Sequence, residues 1–421
     1  MSTVLFRNGI VISQNRSREV FRGSVLVNDG IIEYAGKDTK QADEVIDCSE
    51  KIVMPGLINT HTHVAMSHLK GQLDDIPLSS FLDKTFSLDD RRSESGLYRS
   101  AVLGSMEMLN SGITSFLDLY YSEDVISRAC IDCGIRGFLS WVTLDQDKTT
   151  QSGNTISNAE NFIRKHRDSV LVRPSIGVQG IYVAEDDIFL KAREVSERYG
   201  TLVHIHLAET REEVYNFAKS HGGERPIEHL HRIGFLNSSV FAAHCVWANS
   251  SEISYLAKDD VRVSWNPVSN SKLGVGGIAP VIEMTQKGVK VSIGSDSSGS
   301  NNSLDVLQSM KMGALMVKNQ RWDPSVMRAQ QILDMATVVA AQSLHADDIG
   351  SIEAGKKADI ITLDTNNPRL FPTDEENAIS NVVYSADSSC VSDVMVNGRF
   401  RKRSGNLLSA PYVKWERGSL V

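Results

Sequence analysis

Long apolar runs, basic clusters and a leader-like start are all missing from this chain of 421 residues. No run approaches the roughly eighteen consecutive apolar residues that a membrane-spanning helix needs. The opening segment, "MSTVLFRNGIVISQNRSREV", has neither the basic start nor the long apolar core of a signal peptide. The formal net charge of −8 gives no electrostatic reason to bind nucleic acid or an anionic membrane. We therefore expect a globular protein without nucleic-acid or membrane partners.

Cysteine is also scarce, with five residues scattered along the chain, so we expect no disulfide framework and a reducing, cytoplasmic location. Cys130 and Cys133 form a single C-x-x-C motif. A zinc ribbon would need a second pair of this kind, which the sequence lacks. We interpret both residues as packing residues of a helix.

The two ends of the chain share a β-rich composition. The first fifty residues carry the hairpin signals "RNG" and "NDG", and similar chemistry returns in "KKADIITLD" and "VSDVMVNGRF". We predict that the two ends pair into one small β domain. The predicted boundaries are 1–54 and 353–421 for its two parts, with 55–352 forming a large domain between them.

The middle of the chain alternates short apolar strands with helical segments, such as "SGLYRSAVLGSMEMLNSG" and "DIFLKAREVSERYG". Eight strand–helix units in about 300 residues predict an α/β fold, a (β/α)8 barrel rather than an open sheet. The active site of such a barrel forms at the carboxyl ends of its strands. The predicted strands are 52–61, 113–119, 135–143, 172–180, 202–208, 240–245, 261–266 and 289–296.

Histidine and carboxylate side chains occur at the ends of four of these strands. Histidine nitrogen and carboxylate oxygen together suit zinc or another divalent transition ion. The first strand ends in an H-x-H pair, whose two members point to the same side. The fourth strand has no lysine that could bridge two metals after carboxylation, which favours one ion. The residues concerned are His61, His63, His206, Glu209, His244 and Asp296.

Other histidines serve as internal comparisons. His229 and His231 lie in the helical segment "PIEHLHRIGF", where residues two apart are about 200° apart and cannot share a metal. We interpret His204 as a histidine of the barrel interior, one pleat below His206. His68 follows the H-x-H pair, and both lining of the pocket and capping of the loop stay open for it.

The predicted centre suits hydrolysis. A metal ion lowers the pKa of a bound water toward neutrality. Glu209 follows His206 by three residues, near enough to take the proton of the water and to pass it to a leaving group. For His244 two roles stay open, because it can be a metal ligand or can orient the hydroxide and stabilise developing charge.

Six segments together resemble the amidohydrolase superfamily, in particular the branch of 5′-methylthioadenosine/S-adenosylhomocysteine deaminases and triazine hydrolases. They occur in the order typical of that family and cover nearly the whole chain. The segments are "PGLINTHTH", "HIHLAET", "AAHCV", "NPVSNSKLGVGGIAPV", "GSDSSGSNNSLD" and "GSIEAGKKADIITLD".

The resemblance implies a (β/α)8 barrel with a β-sandwich built from both chain ends, and a homo-oligomer, a dimer or larger. It implies that Glu209 shuttles protons and that His244 contacts the metal-bound water or the substrate, with Asp296 also counted as catalytic. The cofactor is one divalent ion, with zinc expected and iron, nickel or manganese as alternatives. Its implied ligands are His61, His63, His206 and Asp296.

The substrate side departs from these deaminases at four positions. Phe81 stands where they usually have tryptophan, and Asp89 is one methylene shorter than their acidic residue. Trp141 replaces an arginine of the third strand, and Gln179 replaces a histidine after the fourth. We predict these four as substrate contacts, with Phe81 and Trp141 either stacking on the substrate or only packing the barrel mouth. The departures favour a smaller or less charged heteroaromatic amine over a nucleoside with a homocysteine carboxylate.

Our leading hypothesis is a metal-dependent hydrolytic deaminase that releases ammonia from an amino-substituted N-heteroaromatic ring, such as a purine, a nucleoside or a pterin. One alternative is a chlorohydrolase or other hydrolase of triazine-like rings, whose leaving groups need less protonation. Another is a catalytically inactive barrel that serves as a scaffold, against which the complete ligand set argues.

Overall fold

The computed structural model describes residues 3–76, 78–89, 92–408 and 411, and within them it contains two β-sheets. No helix of this described part is long and apolar enough to cross a membrane. The strands are β1 Thr3–Ile12, β2 Val20–Asn28, β3 Ile31–Gly36, β4 Glu44–Asp47, β5 Lys51–Pro55, β6 Leu57–Thr62, β7 Ile113–Tyr120, β8 Arg136–Thr143, β9 Val172–Val178, β10 Val203–Leu207, β11 Val240–His244, β12 Arg262–Trp265, β13 Lys290–Ile293, β14 Ile360–Asp364, β15 Val391–Val396, β16 Arg399–Arg403 and β17 Asn406–Leu407.

The helices follow most barrel strands, as a barrel requires. Three short 3₁₀ helices span Val64–Leu69, Gln146–Lys148 and Ser388–Cys390. The α-helices are α1 Leu78–Asp89, α2 Glu94–Asn110, α3 Glu123–Cys133, α4 Thr155–His166, α5 Asp186–Tyr199, α6 Arg211–Ser220, α7 Pro226–Arg232, α8 Ser250–Lys258, α9 Pro267–Lys272, α10 Val281–Gln286, α11 Val306–Arg321, α12 Ala329–Met335, α13 Val338–Ser343 and α14 Ala378–Tyr384.

Strands β6 to β13 form an eight-stranded parallel sheet in sequence order, which curls into a nearly closed barrel and confirms the predicted fold class. Polar contacts join its two edge strands. The amide of Asp296 donates to the carbonyl of His61 (2.9 Å), and the Thr60 hydroxyl donates to the carbonyl of Ile293 (2.9 Å). The first and last strand ends therefore meet at one side of the barrel mouth.

The predicted first strand, 52–61, is divided in the structure. Lys51–Pro55 belongs to the sheet of the chain ends, and Leu57–Thr62 is the first barrel strand. Gly56 separates them, and this position requires glycine because a Cβ atom here would lie 2.2 Å from the side chain of Thr114. The sequence pattern missed the break because apolar residues continue on both sides of the glycine.

The nine remaining strands form a mixed sheet from both chain ends, as predicted. Strand β5 pairs in parallel with β1 and antiparallel with β14, so it joins the N-terminal and C-terminal parts. A separate apolar cluster fills this sheet with Phe6, Val25, Ile32, Ala358 and Met395 among its members. The domain boundaries given above stay a prediction.

A buried ion pair links the barrel to the terminal sheet. Arg136 begins β8, its side chain is fully buried, and its guanidinium donates to both carboxylate oxygens of Asp359 (3.1 to 3.3 Å). Oδ1 of Asp359 also accepts the amide of Asn397 (2.7 Å). Because Asn397 follows β15, one carboxylate connects the floor of the barrel with the C-terminal strands.

Candidate metal centre and substrate cavity

The H-x-H pair ends β6 and directs both imidazoles into the barrel mouth. Nε2 of His61 lies 3.7 Å from Oδ1 of Asp296, and Nε2 of His63 lies 3.5 Å from the same oxygen. His61 is fully buried, and its Nε2 has no hydrogen-bond partner among the described residues. A buried nitrogen of this kind normally has a partner, so its environment suits a cation between the ring and the carboxylate.

Hydrogen bonds at Nδ1 fix the tautomers of two histidines. Nδ1 of His63 donates to the carbonyl of Leu119 (2.6 Å), and Nδ1 of His206 donates to the carbonyl of Gln179 (2.7 Å). Carbonyls only accept, so in the neutral rings Nε2 keeps its lone pair. The two Nε2 atoms face each other at 3.1 Å. Two lone pairs in this position fit a shared metal ion, whose histidine ligands usually have such outer partners.

Burial also keeps the histidines in the state that binds metal. Loss of solvation lowers the pKa of His61 and His206 well below the usual value, and the neighbouring histidines lower it further. Neutral imidazole is the form that coordinates metal ions.

Asp296 follows β13 in the left-handed backbone region, with a φ of 64°. Its Oδ2 accepts the Ser269 hydroxyl (2.6 Å), and its Oδ1 accepts the Ser297 amide (2.6 Å) while facing the histidines. Aspartate tolerates this backbone region better than most residues. The turn therefore aims one carboxylate oxygen at the centre.

His244 ends β11 and lies within the same group. Its Nδ1 is 2.9 Å from Nδ2 of Asn270 and 3.6 Å from Oε1 of Glu209. Its ring stacks on that of His206, with centroids 5.5 Å apart. Three sets of side chains bring ligand atoms within 4.8 Å of one another: His61, His206 and His244; His61, His63 and Asp296; and Glu209, His244 and Asp296.

Glu209 is held beside the centre by the start of α6. The carboxylate of Glu213 accepts the amides of Glu209 (2.8 Å) and Ala208 (2.9 Å), and Thr210 completes a capping box. Burial, and secondarily the charge of Asp296, raise the pKa of Glu209 to about 8. A carboxyl group with so high a pKa is able to carry a proton at neutral pH.

A cavity of about 810 Å³ opens above these groups and has His63, His206, Glu209, His244 and Asp296 in its wall. Three of the four predicted substrate contacts also line it, namely Phe81, Trp141 and Gln179. The side chain of Asp89 lies outside the described part of the chain, so its position stays a prediction. Nε1 of Trp141 donates to Oε1 of Gln151 (3.0 Å), and the Gln179 amide donates to the Tyr182 hydroxyl (3.1 Å).

Several residues near the site were not singled out from the sequence. Asp118 is buried beside the H-x-H pair, and burial raises its pKa to about 6. Tyr120 and Tyr121 stack on each other in the cavity wall, with centroids 4.6 Å apart. Asp118 and Tyr120 lie at the end of β7, and Tyr121 directly follows it in the segment "DLYY", so their position at a strand end was a signal. Gln151 lies in the loop 144–154, where no strand-end rule applies.

The comparison histidines have other partners. His229 contacts Asp186 and Glu224, whereas His231 contacts Asp259, so they share no ligand site. His204 lies inside the barrel as predicted. His68 is buried in the short helix after β6. Cys130 and Cys133 are both buried in α3, as expected for packing residues.

The amidohydrolase family matches residues 52–401, so this chain belongs to that family. It is 37% identical over 412 residues to the 5′-deoxyadenosine deaminase of Methanopyrus kandleri, covering 96% of this chain and 94% of that protein. It is 36% identical over 409 residues to a 5-methylthioadenosine/S-adenosylhomocysteine deaminase of Thermodesulfovibrio yellowstonii, covering 94% and 92%. These relatives confirm the predicted enzyme class, a deaminase that hydrolyses carbon–nitrogen bonds.

Solved structures agree with this assignment. An adenosine deaminase from Xanthomonas campestris with bound zinc aligns with a TM-score of 0.92 at 26% identity, covering 99% of this chain and 95% of that chain. Zinc-bound atrazine chlorohydrolase from Arthrobacter aurescens TC1 aligns with a TM-score of 0.89 at 22% identity over 97% of both chains, which shows the fold alone. The histidine and aspartate side chains form a cluster that could hold a metal ion, and these structural neighbours bind zinc.

Proposed function

We propose that this protein is a metal-dependent deaminase of adenine nucleosides, with 5′-deoxyadenosine and nucleosides of similar 5′ chemistry as its substrates. One observation carries the proposal. Inward-facing histidine nitrogens, the Asp296 carboxylate and the protonatable Glu209 meet in the wall of one large cavity. The similarity to 5′-deoxyadenosine deaminases over nearly the whole chain supports the choice of substrate.

We assign the metal ligands as His61, His63, His206 and Asp296, and we propose zinc as the ion. When bound, such an ion makes water acidic enough to act as a nucleophile near neutral pH. The fixed tautomers of His63 and His206 present Nε2 to the ion without rearrangement. The Ser269 hydroxyl holds the remaining oxygen of Asp296.

Glu209 is the proposed proton carrier. It takes a proton from the attacking water and gives it to the departing nitrogen, so that ammonia leaves the ring. A cation held by these ligands would offset the charge of Asp296 and would therefore lower the pKa of Glu209. His244 lies against Glu209 and His206, and we propose that it orients the reacting oxygen and stabilises the charge that develops there.

The adenine ring is proposed to lie among Phe81, Trp141 and Gln179 in the cavity wall. The hydrogen bond from Trp141 to Gln151 fixes the edge of the indole in the cavity wall, where we propose that the indole stacks on adenine. Gln179 offers an amide for a ring nitrogen. We keep Asp89 as the proposed partner of the ribose hydroxyls.

The cationic side chains that line the cavity already have polar partners. Its arginine and lysine lining residues, within the described ranges, are Arg92 and Lys148. Nζ of Lys148 pairs with Asp147 at 3.3 Å, and Arg92 donates to the Tyr120 hydroxyl (3.1 Å). A homocysteine carboxylate would have to compete for these groups. We therefore propose a preference for 5′-deoxy or 5′-methylthio nucleosides over S-adenosylhomocysteine.

Ammonia release tests the function directly. The zinc-loaded protein is assayed with 5′-deoxyadenosine, 5′-methylthioadenosine, adenosine and S-adenosylhomocysteine, with guanine and cytosine as comparison substrates. We expect the highest kcat/KM for the neutral 5′ nucleosides. No ammonia from any adenine nucleoside would contradict the proposed substrate class, and chloride release from a chlorotriazine would favour the alternative hydrolase.

Two further properties belong to the proposal. We propose a cytoplasmic location, which the five free and buried cysteines support. We also propose a homo-oligomer, supported by the exposed apolar side chains of Met312, Leu315 and Trp322 in and after α11.

A further inference from the structure

The Asp118 carboxylate binds the residues on both sides of His63, the hydroxyl of Thr62 and the backbone amide of Val64. It lies near the carboxyl end of β7, and its side chain is fully buried. Its Oδ1 accepts the Thr62 hydroxyl (2.5 Å) and the Val64 amide (2.7 Å). Because Thr62 and Val64 flank His63 in the chain, one oxygen atom fixes the residues directly before and directly after it.

The main chain of β7 holds the imidazoles of the same pair. The carbonyl of Asp118 accepts Nδ1–H of His204 (3.3 Å), and Nε2 of His204 in turn accepts Nδ1–H of His61 (2.9 Å). The next carbonyl, that of Leu119, accepts Nδ1–H of His63 (2.6 Å). Both histidines therefore depend on two adjacent residues of a neighbouring strand.

We propose that Asp118 is the positioning residue of the H-x-H pair. Its side chain holds His63 through Thr62 and Val64, and its main-chain carbonyl supports His61 through His204. The inference rests on the proposed metal-dependent function and adds a residue outside the ligand set. Outer groups of this kind typically change metal affinity by about 10- to 100-fold when they are removed.

The hydrogen-bond geometry of Asp118 allows its role as an acceptor to be tested separately from its negative charge. Both side-chain hydrogen bonds of Asp118 go to Oδ1, whereas Oδ2 has no partner among the described residues. The amide oxygen of asparagine can accept the same two bonds, but it carries no charge. Asp118→Asn therefore keeps both side-chain hydrogen bonds, while Asp118→Ala removes them and leaves only the main-chain contact to His204.

Zinc affinity of the full-length protein tests the inference without relying on catalysis. The protein is stripped with a chelator and titrated with zinc against a chromophoric competitor. We expect Asp118→Ala to bind zinc about 10- to 100-fold more weakly than wild type and Asp118→Asn to keep wild-type affinity. Asp305→Ala is the matched control, because it removes another buried carboxylate, one that bonds to the Leu307 amide instead.

Two variants at Thr62 keep the test independent of how Asp118→Ala folds. Thr62→Val removes one of the two bonds at nearly constant volume and is expected to weaken zinc binding, whereas Thr62→Ser keeps the hydroxyl and the affinity. Unchanged affinity in both Asp118→Ala and Thr62→Val would overturn the inference, as would equal losses in Asp118→Asn and Asp118→Ala. If the wild-type protein bound no zinc, this result would contradict the proposed metal centre itself. It differs from every outcome above, because those outcomes compare variants with a wild-type protein that binds zinc.

Discussion

The Nε2 atoms of His63 and His206 lie 3.1 Å apart because each ring is held by a hydrogen bond from its Nδ1–H to a backbone carbonyl. This arrangement needs no adjustment when a cation arrives, so little of the binding energy is lost on ordering side chains. The same reasoning applies to Glu209, whose backbone is held by the carboxylate of Glu213. At the scale of single residues, the site is organised before any substrate enters.

Replacing Glu209 by glutamine is the clearest test at this scale. The amide cannot carry a proton, so we expect kcat to fall by about 10²- to 10⁴-fold. Glutamine has nearly the same size, and Glu209 is not among the proposed ligands, so the zinc content should not change. The measurement combines steady-state deamination of 5′-deoxyadenosine with metal analysis of both proteins. A variant that keeps its rate would exclude Glu209 as the proton carrier.

Among the elements, α11 begins with an unusual cap. Asp305 accepts the Leu307 amide (2.8 Å) as an N-cap should, yet its side chain is buried, and burial raises its pKa to about 6. The unfolded chain titrates near the ordinary value of about 3.9. The folded state therefore binds more protons between these values, and its stability falls as the pH rises through this window.

Asp305→Asn should remove this dependence, because asparagine caps helices about as well as aspartate and does not ionise. The free energy of unfolding of the variant, relative to wild type, should increase by about 1 to 3 kcal/mol between pH 4 and pH 7. Urea denaturation at a series of pH values measures this difference. A constant difference across the window would contradict the expectation.

The elements also show which contacts a sequence reveals. Apolar alternation located the barrel strands, and strand-end polarity located His61, His206 and Asp296, because both depend on neighbours along the chain. The need for glycine at position 56 depends on Thr114, and the hydrogen bond of Asp118 depends on Thr62. Such contacts join distant segments and leave no local pattern, so only the folded chain reveals them.

At the scale of the whole molecule, the ion pair of Arg136 and Asp359 stabilises the contact between the barrel and the terminal sheet. It is buried where the barrel meets the terminal sheet, and both partners have more than one hydrogen bond. Removing one partner would leave an uncompensated charge at this junction. The contact therefore makes the two sheets depend on each other for stability.

Asp359→Ala should lower the free energy of unfolding by about 3 to 5 kcal/mol. The matched control is Asp348→Ala, which removes the partner of Arg173 and Lys357 in a partly exposed group and should cost roughly 1 kcal/mol or less. Chemical denaturation of both variants gives the comparison. Equal losses would show that burial does not determine the strength of this link.

Strand β5 pairs with β1 on one side and with β14 on the other. When β5 leaves the ribosome, β1 has already been synthesised. Strand β14, in contrast, emerges only after all the barrel strands. Until then one edge of the terminal sheet stays open to pairing with another chain. A premature stop codon before Ile360 would make this state permanent, so messages truncated there should yield aggregates even though they encode the whole barrel.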